Sequence, residues 1–546
     1  MKKHSLWLVA IALGLSSCVE DAITSETPEQ NQSEQNQSQT SAPVVTLSHS
    51  RLTSYNSSQS RVSVTPQSRE AQTSSLSLYA EISNLSKDGS ISGFVKEEGG
   101  RYLSATCVYY EQATGKYYVT YHMQGNNYNT QQTNETGGYI ETFTLDQDGK
   151  PTLRNIYSAA NPEELSFDFN HLYFDNIPSL GYYDYFGTYY DFEGTYDVDG
   201  FQGTRLIAVG HKSEPSKKEG GEPNTAAIIA KLNLDGATPT IDYATVYTGD
   251  KLTDDDVVKD DGSLMSLGDE DAKDVNCVVR KYNNYYLATR KGVAVLKASE
   301  AEMFSPQVDE KGHYYFMRTP GSAKFLSQPM TTSYVNVLYL QNDTPDEGLT
   351  AETSSLASLT QLALDYSNNY CPINIRDLSD FSWSSLSSPN TNLISNIDRI
   401  KPVDGKNVVI NTRNITAIAL GKGGLYVNYP TYLDGEIKTF SDKKDGSGSR
   451  PVNGLFVEEV ETFNGRTSNN GFIYVANGSC LTIVNSQTLD TIAEYSAFEE
   501  GDASANYVYV QQLDTKSNGQ TNDRLITVAF GQAGVKVFKF IPPTNF

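Results

Sequence analysis

A hairpin unit recurs along the chain, and this repeat restricts the possible folds of the sequence more than any other feature does. Each copy has a strand-like run ending in Ala or Thr, a turn containing Gly, and a second run of alternating apolar residues. The clearest copies are 285–296, 472–484 and 525–538. One hairpin cannot bury both of its faces alone, so the copies must pack against one another.

Two further copies carry a long insertion at the turn. The run 117–121 resumes at 138–145, and the run 206–210 resumes at 227–234. Both insertions interrupt the unit at the same point, after its first strand. Repeated sheets whose insertions are confined to loops are typical of the blades of a β-propeller.

The rest of the body is also rich in strand-forming residues, and weaker copies of the unit lie at 333–340 and 415–427. Only 355–366 hints at a helix, and an irregular loop is the alternative there. We therefore predict an all-β body over 76–546, folded as a β-propeller of six to eight blades, with seven as the best estimate. The alternative is a pair of tandem β-sandwiches.

The N-terminus carries a three-part export signal over 1–17. Lys2 and Lys3 supply positive charge, and 6–15 is an apolar run too short to span a bilayer as a mature helix. The run Leu-Ser-Ser before Cys18 resembles the bacterial lipobox. This resemblance implies cleavage before Cys18, a diacylglycerol on its thiol and further acylation of its amine, which together form a stable anchor. The alternative is an ordinary signal peptide followed by a chance cysteine.

Residues 18–75 form the predicted tether between the anchor and the body. Gln, Ser, Asn, Thr and Glu dominate, and large apolar residues are too sparse to offset the entropy cost of ordering, so we expect disorder. Val19, Glu20 and Asp21 resemble the acidic signal that places lipoproteins of Bacteroidota-type bacteria on the outer face of the outer membrane. This resemblance implies a lipid-anchored protein exposed at the cell surface.

The charge of the chain argues against one class of partner. The formal net charge is −24, and an acidic body repels phosphate backbones, so nucleic acid is not expected to bind. The alternative is that the acidity only keeps a surface protein soluble.

The cysteines of the body are far apart in the sequence and show no CxxC spacing. They can therefore form two disulfides or remain buried thiols. They are Cys107, Cys277, Cys371 and Cys480.

The sequence lacks the motifs of the best-marked enzyme classes. It has no HExxH, P-loop, GxSxG or dinucleotide fingerprint, and its six histidines lack the spacing of a metal cage. The acidic run at 254–271 lacks the residue order of a calcium loop, and we interpret it as a solvated loop. We therefore predict no catalytic residue, no metal site and no cofactor.

The last hairpin unit, with Gly-Val-Lys-Val-Phe after its turn, resembles the repeat of LVIVD-type propellers, which are common among bacterial surface proteins. The match holds at 285–296 and 525–538 and is weak elsewhere, and the final Asp of the repeat is absent at Phe538. This resemblance implies a fold and no activity. Some propeller lipoproteins of this general kind cap TonB-dependent transporters and capture a vitamin or siderophore, which implies such a transporter as a partner.

A tyrosine-rich stretch at 172–201 is the main candidate for a binding site. No Lys or Arg occurs between Arg154 and Arg205. Tyrosine offers a flat apolar face and a polar tip, which suits sugar rings, planar cofactors and protein surfaces. We place the stretch between two repeats, where it can join the asparagine-rich loop after residue 123 in one concave patch. The alternative is that these rings fill the channel or seal the blades. The predicted ligand-binding residues are Tyr182, Tyr183, Tyr185, Tyr189, Tyr190, Tyr196, Asn126 and Asn127.

Two functional hypotheses follow. The first is a non-enzymatic, surface-exposed binding lipoprotein that captures a nutrient or attaches to glycan or host protein; its small-molecule or glycan ligand is left open. The alternative is a secreted propeller hydrolase or lyase acting on glycans, with paired carboxylates in the central funnel that no linear motif reveals.

Overall fold

In the computed structural model, the described residues lie between Leu47 and Pro543, and every regular element among them is a β-strand. The predicted all-β class is confirmed for this part of the chain, and none of it forms a helix able to span a membrane. The longest gaps in the description are 57–75, 86–101, 125–137, 193–202, 247–274, 341–356 and 378–408.

A group of four antiparallel strands recurs along the chain, and each such group is called a sheet here and numbered in chain order. By strand pairing, sheets 1 and 7 belong to one nine-stranded sheet, and sheet 2 belongs to a six-stranded sheet. Three strands come first: β1 (Ser48–Arg51), β2 (Thr53–Asn56) and β3 (Leu76–Ile82). Sheet 1 holds β4 (Tyr102–Glu111), β5 (Lys116–Gln124), β6 (Tyr139–Leu145) and β7 (Pro151–Ser158). The strands that follow are β8 (Ala160–Asn161), β9 (Leu165–Ile177), β10 (Leu180–Tyr183), β11 (Tyr189–Phe192), β12 (Gly203–Glu214), β13 (Asn224–Asn233) and β14 (Thr240–Thr245). Sheet 2 is built on β9, β12, β13 and β14.

Sheets 3, 4 and 5 repeat the same order of four strands. Sheet 3 holds β15 (Val275–Lys281), β16 (Asn284–Thr289), β17 (Gly292–Lys297) and β18 (Phe316–Arg318). Sheet 4 holds β19 (Ala323–Ser327), β20 (Tyr334–Leu340), β21 (Ala357–Asp365) and β22 (Cys371–Asp377). Sheet 5 holds β23 (Val409–Asn411), β24 (Thr416–Ala419), β25 (Leu425–Asn428) and β26 (Glu436–Lys438).

Sheets 6 and 7 complete the series, and sheet 7 takes its outermost strand from the other end of the body. A short pair, β27 (Phe440–Ser441) and β28 (Ser449–Arg450), precedes them. Sheet 6 holds β29 (Val452–Val457), β32 (Phe472–Asn477), β33 (Cys480–Asn485) and β34 (Thr491–Ser496), with the pair β30 (Thr462–Phe463) and β31 (Arg466–Thr467) inserted after β29. Sheet 7 holds β35 (Ala503–Thr515), β36 (Thr521–Gly531), β37 (Val535–Phe540) and β3.

The repeated hairpin of the sequence is the second and third strand of a sheet. The copies at 285–296, 472–484 and 525–538 form β16 with β17, β32 with β33, and β36 with β37. The interrupted copies form β5 with β6 and β12 with β13. The hint of a helix at 355–366 is wrong, because β21 occupies this segment. Leu362 and Leu364 are both buried there at the two-residue spacing of a strand.

Each sheet is covered by neighbours on both faces. In β16, Tyr285 and Leu287 pack into a core shared with sheet 2, whereas Tyr286 and Ala288 pack into a core that reaches sheets 4 to 6. Since successive side chains of a strand point to opposite faces, sheet 3 lies between two apolar layers. Other shared cores join sheet 6 to sheet 7, sheet 7 to sheet 1, and sheet 1 to sheet 2.

The first strands of sheets 1 to 4, 6 and 7 carry β-bulges occupied by polar residues, a feature that the sequence analysis missed. The bulged positions are Thr106, Asn170, Asn276, Lys324, Asn453 and, in a wider irregularity, Asn506. Three bulge asparagines donate from Nδ2 to a backbone carbonyl in the first strand of the next sheet. These bonds run from Asn276 to Ala323 over 2.7 Å, from Asn453 to Ala505 over 2.9 Å and from Asn506 to Ala105 over 2.9 Å. The side chains therefore lock neighbouring sheets together.

The two ends of the body meet in sheet 7. β3 pairs antiparallel with β37, so a strand from the start of the described body lies beside the last hairpin. Across this pair, the fully buried Lys536 donates to Glu81 over 2.6 Å. Sheet 7 also touches sheet 1, through Gly531 opposite Ala105 and through Asn84, whose Nδ2 donates to Gly531 and to Leu103. The first strands therefore contact one another in the order β4, β9, β15, β19, β23, β29, β35 and back to β4.

Part of the predicted tether belongs to the folded body. β1 pairs with β14, the outermost strand of sheet 2, and β2 pairs with β7, the outermost strand of sheet 1. We call these two strands the edge strap. The composition predicts disorder for all of 18–75, and this prediction is wrong for the edge strap. The unpaired backbone groups at the edge of a sheet can order even a polar segment. Cys18 and the residues before it lie outside the described residues.

Two groups of buried polar side chains fix neighbouring strands and sheets. Inside sheet 1, the hydroxyl of Tyr121 donates to Glu141 over 2.8 Å, and the guanidinium of Arg154 donates to the same carboxylate. Arg205 of sheet 2 reaches into sheet 3, where it donates to the carbonyl of Ala298 over 2.6 Å and pairs with Glu300 over 2.7 Å. In both groups a buried charged side chain has an oppositely charged partner and hydrogen bonds, without which its burial would be costly.

The cysteines of the body are thiols where they are described. Cys107, Cys277 and Cys480 are buried and form no disulfide. Of the two alternatives open at the sequence level, buried thiols are therefore observed for these three residues, and the Cys371 side chain lies outside the described part.

Candidate functional site

The tyrosine-rich stretch begins within β9, the first strand of sheet 2, and precedes β12, the second strand of that sheet, along the chain. It therefore does not connect two repeats, as the sequence analysis placed it. Two of its segments, β10 and β11, pair as an antiparallel hairpin. This hairpin contains Tyr182, Tyr183, Tyr189 and Tyr190. The other predicted ligand-binding residues, Tyr185, Tyr196, Asn126 and Asn127, lie outside the described residues.

The register of this tyrosine hairpin divides its four tyrosines between two faces. Tyr182 pairs with Tyr190, and Tyr183 pairs with Tyr189. Directly opposed residues of an antiparallel pair share a face, and neighbouring residues take opposite faces. One face therefore carries Tyr182 and Tyr190 and the other carries Tyr183 and Tyr189. A flat ligand lying on the hairpin would meet only one pair.

The tyrosine hairpin and the long loops emerge from opposite ends of sheet 2. At one end of β12, Gly203 pairs with Ile177 of β9, and the tyrosine hairpin lies between these two residues in the chain. At the other end, Glu214 pairs with Asn224, and the insertion at 215–223 begins. We call the end at which a first strand leads into a second strand the tyrosine end. The tyrosine hairpin is therefore a candidate site separate from the long loops, which lie at the opposite end of sheet 2.

A row of aromatic rings crosses three neighbouring first strands near the tyrosine end. The ring of Tyr509 in β35 lies 5.0 Å from the ring of Tyr109 in β4 and 5.9 Å from the ring of Phe456 in β29, measured between centroids. All three side chains are half-buried. The bulge bonds join the beginnings of these strands, and the rings meet further along, so the three strands run in the same direction. We call these three residues the aromatic row.

The tyrosines of the row are uncharged hydroxyl groups at physiological pH. Burial raises the pKa of Tyr109 and of Tyr509 above the ordinary value for tyrosine, and their side chains hydrogen-bond to each other. Behind them, Tyr110 lies 4.6 Å from Tyr117, whose ring stacks on Phe143 at 5.0 Å. The row therefore offers ring faces and neutral polar tips, supported by a packed aromatic layer.

Among the described residues, the side chains that could bind a metal are dispersed and the buried carboxylates are paired with arginines. No group of three or more His, Cys, Asp or Glu is close enough in this part of the chain to hold a metal ion. The buried carboxylates, Glu141 and Glu494, are held by Arg154 and Arg450 in different sheets. The acidic run at 254–271 lies outside the described residues.

The aromatic row was missed by the sequence analysis. Tyr109 and Tyr509 are separated by 400 positions, and each stands in an ordinary strand-forming context. The available signal was an aromatic residue three positions after the polar bulge residue in three first strands, at Tyr109, Phe456 and Tyr509. That signal appears only when the first strands are aligned through their bulges.

Comparison with known proteins names no relative. No family model matches this chain, and no curated protein matches it. Among solved structures that match, one titled "Crystal structure of BBS1N in complex with ARL6DN, soaked with lead" is 8% identical. The match covers 82% of this chain and 95% of that chain with a TM-score of 0.37, a likeness too low to support an argument.

Proposed function

We propose that the body is a seven-bladed β-propeller in which sheets 1 to 7 are the blades. The support is the cyclic order of contacts among first strands, the bulge bond from Asn506 to Ala105, and the pairing of β3 with β37. Apolar layers on both faces of the sheets also suit blades of a propeller better than two separate sandwiches, each of which has outward polar faces.

On this scaffold we propose a surface-exposed binding lipoprotein that holds a neutral glycan at its tyrosine end. The observation that carries this proposal is the aromatic row, three half-buried rings on adjacent first strands. The export signal, Cys18 and the acidic residues after it support an anchor at the outer membrane. A TonB-dependent transporter remains a proposed partner, on the resemblance alone.

The chemistry of the site favours sugar over charged ligands. Tyrosine faces pack on the C–H faces of sugar rings, and phenol hydroxyls exchange hydrogen bonds with sugar hydroxyls. No Lys or Arg stands between Arg154 and Arg205, whereas acidic residues are frequent there. Because an anionic ligand would be repelled by these carboxylates, a neutral glycan fits best.

Replacing both Tyr109 and Tyr509 with alanine should weaken glycan binding by roughly 10- to 100-fold, since each removed ring forfeits contact and desolvation energy of about 1 kcal/mol or more. Binding is measured by glycan array and then by calorimetry on the best glycan. The control replaces both residues with phenylalanine, which keeps the ring faces and should retain most of the affinity. Equal affinity of the alanine variant and the parent, with both folded, would remove the aromatic row from the site.

The tyrosine hairpin supplies a second, matched test. Replacing one facing pair with alanine, either Tyr183 with Tyr189 or Tyr182 with Tyr190, should abolish binding, whereas replacing the other pair should have little effect, because the two pairs occupy opposite faces. The two variants lose the same side chains, so circular dichroism and melting temperature should change equally. If both variants bind equally well, the hairpin contributes no ligand contact; if both unfold, its tyrosines belong to the core.

A further inference from the structure

Gln511 follows the aromatic row along β35 and lies on the same face as Tyr509. The pairing of β35 with β36 runs without a shift from Tyr507 to Leu513, so residues two apart on this part of β35 point to one side. On that side the ring of Tyr509 meets the ring of Tyr109 in sheet 1. Because β35 leads into β36 at the tyrosine end, Gln511 lies between Tyr509 and that end, on the side of sheet 1.

The side-chain carbonyl of Gln511 is buried without a hydrogen bond. No donor from the described part of the chain reaches its Oε1. The residue opposite it in β36 is Leu525, whose apolar side chain packs against the core shared by sheets 7 and 1 and cannot donate. A buried amide carbonyl without a donor destabilises a fold, and native proteins contain few such groups. This carbonyl therefore requires an explanation other than its place in the core.

A second glutamine of the body shows the usual arrangement of a buried amide. Gln307 donates from Nε2 to Oδ1 of the buried Asn284 over 2.5 Å. That amide holds two segments of sheet 3 together, whereas the carbonyl of Gln511 holds no described residue in place. An unpaired acceptor kept beside three half-buried rings indicates a ligand that supplies the donor.

The group that donates to Gln511 must also suit the rings beside it. Residues two apart on a strand are separated by roughly 7 Å, so a ligand ring stacked on Tyr509 would bring its edge close to Gln511. A sugar carries hydroxyl groups around its edge and C–H groups on its face, so it can meet the carbonyl and the tyrosine together. A planar hydrocarbon ring lacks the donor, and an ionised carboxylate offers only acceptor oxygens.

We propose that Gln511 is a specificity-determining residue of the glycan site, and that its Oε1 accepts a hydrogen bond from one hydroxyl of the sugar that stacks on Tyr509. This inference rests on the proposed function and adds to it a selection among sugars. The aromatic row accepts any sugar with an apolar face. A sugar without a hydroxyl at the edge next to Gln511 leaves the carbonyl unpaired and therefore binds more weakly.

Paired changes in the protein and in the ligand test this hydrogen bond. Calorimetry on the full chain compares the best glycan with analogues that each lack one hydroxyl, for the parent and for Gln511→Met. We expect one analogue to bind the parent about 10-fold more weakly than the glycan does, and Gln511→Met to bind both with the same weakened affinity. If every analogue loses the same factor with the parent and with Gln511→Met, no hydroxyl is coupled to residue 511 and the inference is overturned.

The melting temperature of the free protein gives a test that needs no glycan. Gln511→Met keeps the length of the side chain and removes the unpaired carbonyl, so the melting temperature should stay equal or rise. The matched control, Gln307→Met, removes a donor from the buried Asn284 and should lower it. A fall at position 511 as large as the fall at position 307 would mean that the Gln511 amide serves the fold, and would also overturn the inference.

The same measurements distinguish failure of this inference from failure of the proposed function. If the parent binds no glycan, the proposed function and the inference fail together. If replacing Tyr109 and Tyr509 with alanine weakens binding while no hydroxyl is coupled to residue 511, the glycan site stands and only the role of Gln511 is rejected.

Discussion

With Cys18 replaced by alanine, the protein should lose all labelling by a palmitate analogue and should keep its N-terminal 17 residues. The resemblance to the lipobox assigns the acylated atom to the Cys18 thiol, and alanine has no nucleophile to accept a diacylglycerol. Cleavage at this type of site follows lipidation, so the precursor should accumulate. Metabolic labelling and the intact mass of the purified protein measure both effects together.

The matched control for this experiment is Cys480→Ala, which removes a buried thiol from sheet 6. Its labelling and its processing should equal those of the parent protein. If the Cys18 variant were labelled normally, the lipoprotein hypothesis would be wrong. The glycan site could still be correct, because the aromatic row does not depend on the anchor.

Replacing Arg154 with methionine should destabilise the body by about 3–5 kcal/mol, because the change leaves the carboxylate of Glu141 buried without its cation. The Glu141 side chain is completely buried, and that of Arg154 is 5% exposed. Methionine keeps most of the length of the arginine side chain. The loss of stability therefore measures the effect of removing the charge rather than the effect of opening a cavity. Equilibrium unfolding in urea, followed by circular dichroism, measures the change.

Two comparisons isolate this buried pair. The double variant Arg154→Met with Glu141→Met should recover most of the lost stability, since both charges then leave the interior together. Lys297→Met breaks the more exposed pair with Glu302 and should cost no more than about 1 kcal/mol. Similar losses from Arg154→Met and Lys297→Met would mean that burial adds nothing to the Glu141 pair.

The hairpins could be predicted because their signal is local. In 525–538, an apolar strand, a turn with Gly531 and Gly534 and an alternating second strand follow one another within fourteen positions. Both glycines have positive φ, and a Cβ on Gly534 would come within 2.2 Å of the carbonyl of Ile82. The turn therefore requires glycine for both conformation and space, and the sequence records that requirement directly.

The first strands and the candidate site could not be predicted in the same way. A bulge such as the one at Asn276 appears in the sequence as a polar residue that interrupts an apolar run, and its partner carbonyl belongs to another sheet. The edge strap is polar, so its order depends on the edges that it meets. At 355–366, leucines spaced by three suggested a helix, yet burial follows the two-residue alternation of Leu362 and Leu364.

The pairing of β3 with β37 has a consequence for how the protein is made. Glu81 and Lys536 are 455 positions apart, and closing a chain segment of that length costs roughly 5 kcal/mol of entropy. Synthesis delivers β3 long before β37, so the seventh sheet cannot form until β37 has been made. Until then β3 has an unpaired edge that can join a wrong strand. Completion of sheet 7 is therefore a late step of folding, and early termination of the chain leaves this sheet unfinished.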